Sequence, residues 1–164
     1  MSQLRVLVLR SNKFYGPWAK TNFTMLRIID ISSNNFSGTL SKEYFSSWKA
    51  VMVNQEEVEW IYHDQTLGYK DFEDNYHPDT VTVTSKGLDM DLMKILTVFT
   101  SIDLSNNSFE GKIPEVIGNL RLLHVLNFSG NAFTGPIPST IGNITQLESL
   151  DFCQNKLTGE IPSN

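Results

Sequence analysis

The chain has a single cysteine, Cys153, in 164 residues, so no intrachain disulfide holds the fold together. It has no apolar run approaching the roughly 18 residues of a membrane span. The run at 6–9 is also far shorter than the core of a signal peptide and reads as a strand. Positive charge is in short supply. Thirteen Lys and Arg stand against 18 Asp and Glu, a net charge of −5, which argues against a broad nucleic-acid surface. Motifs of catalysis are missing too: no phosphate loop, kinase signature or Ser-His-Asp spacing occurs. His63, Asp64, His77 and Asp79 match no metal-ligand spacing. Cys153 has no histidine near it in sequence and reads as a half-buried spare thiol. No catalytic residue, metal or cofactor is expected.

What is present is repetition. Phe99, Ile102, Leu104, Asn107, Phe109, Gly111, Ile113 and Pro114 recur as Leu123, Leu126, Phe128, Asn131, Phe133, Gly135, Ile137 and Pro138. They recur again as Leu147, Leu150, Phe152, Asn155, Leu157, Gly159, Ile161 and Pro162. The period is 24 residues without gaps. A fixed period in this range marks a solenoid, and the L-x-x-L-x-L-x-x-N-x-L form is that of a leucine-rich repeat. The apolar positions point into the core from a short strand, and the residues between them face the concave side. The Asn turns the chain and satisfies backbone groups there. Asn12, Asn34, Asn107, Asn131 and Asn155 should therefore stack as a ladder. The later Gly permits a backbone conformation closed to other residues, and the Pro suits an extended return segment. The fold class is α/β: a horseshoe segment with a parallel β-sheet on its concave face, interrupted once.

The interruption is visible in the spacing. Leu4, Leu7, Leu9, Asn12, Phe14 and Gly16 match the repeat, as do Leu26, Ile29, Ile31, Asn34, Phe36 and Gly38, but Leu26 and Phe99 are 73 residues apart. The reading is two repeats over 1–40, an insertion over 41–97 and three repeats over 98–164, truncated at both ends. The insertion holds eleven of the 18 acidic residues and four of the five tyrosines. Residues 44–48 read as a helical turn, 54–80 as loop and 81–85 as a strand. Leu88, Leu92, Ile95 and Leu96 have helical spacing.

The repeats with their Gly-x-Ile-Pro ending, and the insertion's close at 81–87 followed by Ile95-Leu96 and Ile102-Asp103-Leu104-Ser105, resemble the plant leucine-rich-repeat receptor-like proteins. The insertion resembles the island of those ectodomains. The resemblance implies a kinase-less glycoprotein on the extracellular side of the plasma membrane, binding a protein or peptide ligand and partner receptor kinases in immune or developmental signalling. Signal peptide, cysteine-paired caps and membrane helix are all lacking, so the chain is expected to be a fragment or truncated product. An alternative is a secreted leucine-rich-repeat inhibitor of microbial wall-degrading enzymes, against which the island speaks. Ranked lower is an island-bearing receptor-kinase ectodomain.

Candidate contact residues lie in two places. On the concave strip they are Asp103, Asn127 and Asp151, among Ser101, Ser105, Val125, Ser129, Ser149 and Cys153. In the island they are Tyr62, Tyr69 and Tyr76, tyrosine being favoured at interfaces, with Lys86 and Gly87 at the island's close implied by the resemblance. Five N-glycosylation sequons occur, at Asn22, Asn35, Asn106, Asn127 and Asn143. Asn22 and Asn143 lie outside the strands, whereas a glycan on Asn127 would crowd the strip. The terminal repeats are expected to leave apolar edges bare at 4–9 and 147–161.

Overall fold

A computed structural model describes residues 4–18, 23–46, 48–52, 81–85, 88–92 and 99–163. Each repeat makes one coil, and each coil contributes a strand to each of two parallel sheets. The first sheet comprises β1 (Val6–Val8), β3 (Ile28–Asp30), β7 (Ser101–Asp103), β9 (Val125–Asn127) and β11 (Ser149–Asp151), paired in that order. The second comprises β2 (Tyr15–Pro17), β4 (Asn35–Thr39), β8 (Ser108–Lys112), β10 (Ala132–Gly135) and β12 (Lys156–Leu157), likewise in coil order. The first is the concave sheet expected from the repeat. The second was not read from sequence, because the segment after each Asn lacks a run of alternating apolar residues.

The insertion does not break the solenoid. β3 pairs directly with β7, Ile29 opposite Ile102 and Asp30 opposite Asp103, and β4 pairs with β8. The coils on either side thus stack as sequence neighbours would. At the insertion's start, Phe45 of α1 (Lys42–Ser46), Trp48 and Val51 of α2 (Lys49–Met52) are buried in the solenoid core, and the Leu122 amide donates to the Val51 carbonyl at 3.1 Å. At its end the helical expectation fails. β5 (Val81–Ser85) pairs antiparallel with β6 (Leu88–Leu92), Ser85 opposite Leu88. Leu88, Met90 and Leu92 alternate with Asp89 and Asp91, and this period of two, paired to the alternating Val81–Ser85 strand, overrides the spacing of Leu88 and Leu92.

The Asn side chains join the coils. Asn107 Nδ2 donates to the carbonyls of Leu104 and Ser105 in its own coil and of Ile31 in the coil before, all at 3.0–3.1 Å. Its Oδ1 accepts from the Phe36 amide at 3.0 Å, 71 residues away in sequence. Asn34, Asn131 and Asn155 repeat the pattern, accepting from Phe14, Phe109 and Phe133. Among the described residues Asn12, in the first coil, reaches only Leu9 and Arg10 of its own coil. Beside the amides runs a stack of rings, Phe14, Phe36, Phe109 and Phe133, with centroids 6.0–6.4 Å apart and planes within 12°. The residue before each ladder Asn is left-handed: Ser11, Ser33, Asn106, Gly130 and Gln154 all have φ between 51° and 62°. Four of the five are not glycine, so the hydrogen bonds that follow hold a conformation that costs a non-glycine residue about 1–2 kcal/mol.

The last coil leaves apolar surface open. Leu150 is 42% and Ile161 84% exposed, whereas their counterparts Leu126 and Ile113 are buried. Between the third and fourth coils the 3-10 turns Glu115–Asn119 and Ser139–Asn143 pack so closely that a Cβ on Gly118 would overlap the Thr140 backbone carbonyl. Gly142 occupies the same position one coil on and is exposed. Gly118→Ala should therefore cost about 2 kcal/mol or more, and Gly142→Ala less than about 0.5 kcal/mol. Urea denaturation of both variants checks this, and equal midpoints would contradict it.

Candidate functional site

The concave sheet ends in a row of acids and amides. Each such residue closes its strand by accepting the amide two residues on: Asp30 from Ser32, Asp103 from Ser105, Asn127 from Ser129 and Asp151 from Cys153, at 2.9–3.0 Å. This is the Asx turn, and it fixes the side chain at the strand's end. The row is also linked sideways. Arg10 forms an ion pair with Asp30 at 2.7 Å, and Asn127 Nδ2 donates to Asp103 Oδ2 at 3.3 Å. Over the row lies a depression of about 270 Å³, lined by Arg10, Ser32, Asp103, Asn127, Ser149 and Asp151 among others.

The three strip residues named from sequence, Asp103, Asn127 and Asp151, thus come together in one depression. The strip residues expected on the concave side are not equally open to solvent. Ser101, Asp103, Ser105 and Val125 are buried, whereas Asn127, Ser129, Ser149 and Asp151 are partly exposed. Asp103 retains only 5% of its accessible surface, because strands flank it on both sides and its carboxyl is drawn into the Ser105 and Asn127 hydrogen bonds. Cys153 is exposed, not half-buried, since no described coil follows it. The thiol pKa is raised, chiefly by its hydrogen bond to Asp151. Tyr62, Tyr69, Tyr76, Lys86 and Gly87 lie outside the described residues, as do Asn22 and His63, Asp64, His77 and Asp79.

Arg10, Asp30, Ser32 and Ser33 were missed. The signal was there: Ile29-Asp30-Ile31 repeats the pattern of Ile102-Asp103-Leu104, and once the coils before the insertion stack on those after it, the strip extends through both. Among the described residues no group of His, Cys, Asp and Glu is placed to hold a metal ion.

The model of the family described as Leucine Rich Repeat matches residues 25–47, 99–120, 122–144 and 146–164. The chain belongs to the leucine-rich-repeat family. Its resemblance to plant receptor-like proteins also holds. This leucine-rich-repeat chain is 49% identical over 125 residues to Receptor-like protein 18 of Arabidopsis thaliana, covering 76% of this chain and 14% of that protein. It is 51% identical over 125 residues to Receptor-like protein 52 of the same plant, covering 76% and 15%. The chain therefore spans about one-seventh of these relatives' length. Among solved structures, it is similar to the ectodomain of the membrane receptor kinase GASSHO1/SCHENGEN3 from Arabidopsis thaliana in complex with CASPARIAN STRIP INTEGRITY FACTOR 2. That likeness has a TM-score of 0.66 at 25% identity, over 99% of this chain and 14% of that one. The PEPR1–AtPEP1 complex is similar at a TM-score of 0.64 and 25% identity, over 98% and 16%. No helix among the described residues is long and apolar enough to cross a membrane.

Burial raises the Asp103 pKa above its ordinary value, and the neighbouring Asp30 adds to this, while the Ser105 hydrogen bonds and Arg10 oppose it. The native state therefore holds this proton more tightly than the unfolded chain does. The cost of the buried charge is full at high pH and falls away as pH drops through the native pKa. Asp103→Asn removes that titration. The variant's denaturation midpoint relative to the parent should be higher at about pH 7 than at about pH 4.5, and a pH-independent difference would contradict the assignment.

Proposed function

We propose that the chain is a non-catalytic recognition segment of a plant cell-surface receptor-like protein, taking a protein or peptide ligand, and partner receptor kinases, on its extracellular side. The observation that carries this reading is the concave sheet, continuous across the insertion, with a polar depression where Asp103, Asn127 and Asp151 meet. The depression lies along the strand ends of a continuous sheet and is lined mainly by polar side chains, which suits an extended chain or a protein loop. Each Asx residue has one side-chain oxygen occupied by its own turn. The strand ends are thus set before any partner arrives, which lowers the cost of ordering on binding. A solenoid of the same build holding CASPARIAN STRIP INTEGRITY FACTOR 2 supports the reading.

The island residues Tyr62, Tyr69, Tyr76, Lys86 and Gly87 form the other half of the proposed surface. The preference of tyrosine for interfaces supports placing recognition there.

Ser149 lines the depression from β11 without belonging to the buried core. Ser149→Arg should fill the depression and leave the melting temperature unchanged. Against a panel of immobilised plant receptor-kinase ectodomains, the parent chain should bind at least one. The variant should bind it at least about tenfold more weakly, a change of about 1.4 kcal/mol. Equal affinity would remove the depression from the interface. Binding to none of them, together with inhibition of a microbial polygalacturonase, would favour the inhibitor reading instead.

A further inference from the structure

The fold treats its described sequons differently. Asn127 has its amide engaged at both ends. Nδ2 donates to Asp103 Oδ2 at 3.3 Å, while Oδ1 accepts from the Ser129 amide at 3.0 Å and from the Ser129 hydroxyl at 2.8 Å. The serine of its own sequon is therefore occupied, and the side chain lines the depression. Asn35 opens β4 in the second sheet and is exposed, opposite Tyr15 of β2, which is exposed as well. Asn143 is exposed at the end of its 3-10 turn, and Thr145 of the same sequon is exposed too. Among the described residues no side-chain hydrogen bond holds the amide of Asn35 or Asn143.

We infer that the folded chain carries N-linked glycans on Asn35 and Asn143 and none on Asn127. The inference rests on the extracellular reading above, because glycan transfer takes place in the secretory lumen. The donor is a lipid-pyrophosphate-linked oligosaccharide. Its bond from sugar C1 to the pyrophosphate oxygen breaks, a bond from C1 to the amide nitrogen forms, the amide loses one proton, and the lipid pyrophosphate leaves. The product is a bulky, hydrated group on one nitrogen. At Asn35 and Asn143 that group stands in solvent. At Asn127 it would have to enter the space between Asp103 and Asp151 and disturb a nitrogen already bonded to the neighbouring coil. The glycans on Asn35 and Asn143 therefore mark the second sheet and the 3-10 face as surfaces turned away from partners.

The test uses the full chain behind an added secretory leader, with Asn22→Gln and Asn106→Gln to leave three sequons. Gln fits the second site, since Gln154 has φ 53° at the position where Asn106 has φ 51°. Enzymatic deglycosylation of the secreted monomer in heavy-oxygen water, followed by peptide mass spectrometry, should find label at Asn35 and Asn143 and none at Asn127. Label at Asn127, or none at either of the other two, overturns the inference. In unglycosylated chain made in a bacterial cytosol, Asn127→Gln should lower the urea midpoint while Asn35→Gln and Asn143→Gln leave it unchanged. Three equal effects also overturn it. Because the leader is supplied, failure here is distinct from failure of the cell-surface reading, which the receptor-kinase binding measurement addresses.

Discussion

A side-chain amide that serves two coils at once is the interaction on which this fold depends. Backbone hydrogen bonds within each sheet hold strands together but leave the turn after the concave strand with carbonyls facing inward. Asn107, Asn131 and Asn155 answer those carbonyls with Nδ2 and take the previous coil's Phe amide on Oδ1. An unanswered buried carbonyl or amide costs about 1–3 kcal/mol, so each Asn removes several such costs in one place. The left-handed residue before it and the Phe after it follow from the same constraint. One aims the amide inward, and the other stacks on its counterpart in the next coil. Among the described residues Asn12 reaches carbonyls of its own coil alone, and the ring stack likewise runs out to the more exposed Phe14.

The candidate site is a by-product of that regularity. Because every coil closes its concave strand at the same point, the residues accepting the closing amides line up across the sheet. Their identities then set the chemistry: Asp30 tied to Arg10, Asp103 buried, Asn127 bridging and Asp151 open at the last strand. One row therefore does two jobs. It terminates strands, and it offers acids and amides to whatever lies in the depression. The insertion leaves this row intact because it departs after β4 and the chain returns in register at β7.

The periodicity carried most of the solenoid. Positions recurring at a spacing of 24 can be read without coordinates because burial imposes the same residue type on each coil. The second sheet escaped notice because its strands are held by backbone pairing and by the Asn ladder, with a single buried Phe in each of β4, β8 and β10 and no alternating pattern to declare them. Residues 88–92 were misassigned because five residues carry both a two-residue and a four-residue spacing, and only the pairing with Val81–Ser85 decides between them. At the site, Asp103, Asn127 and Asp151 could be named from their repeat position. Arg10 and Asp30 could not be joined to them until it was known that the coils on either side of the insertion touch. The burial of Asp103 likewise depends on neighbours distant in sequence.

A single solenoid running through the insertion is tested most directly at the Phe36 amide, whose acceptor, Asn107 Oδ1, lies on the far side of it. Native-state hydrogen exchange should find this amide protected to the same degree as that of Phe109, which is bonded to Asn131 within the later array. In Asn107→Ala, Phe36 should lose protection by more than Phe109 does. Rapid exchange at Phe36 in the parent chain, with Phe109 still protected, would mean that the coils before and after the insertion do not form one stack.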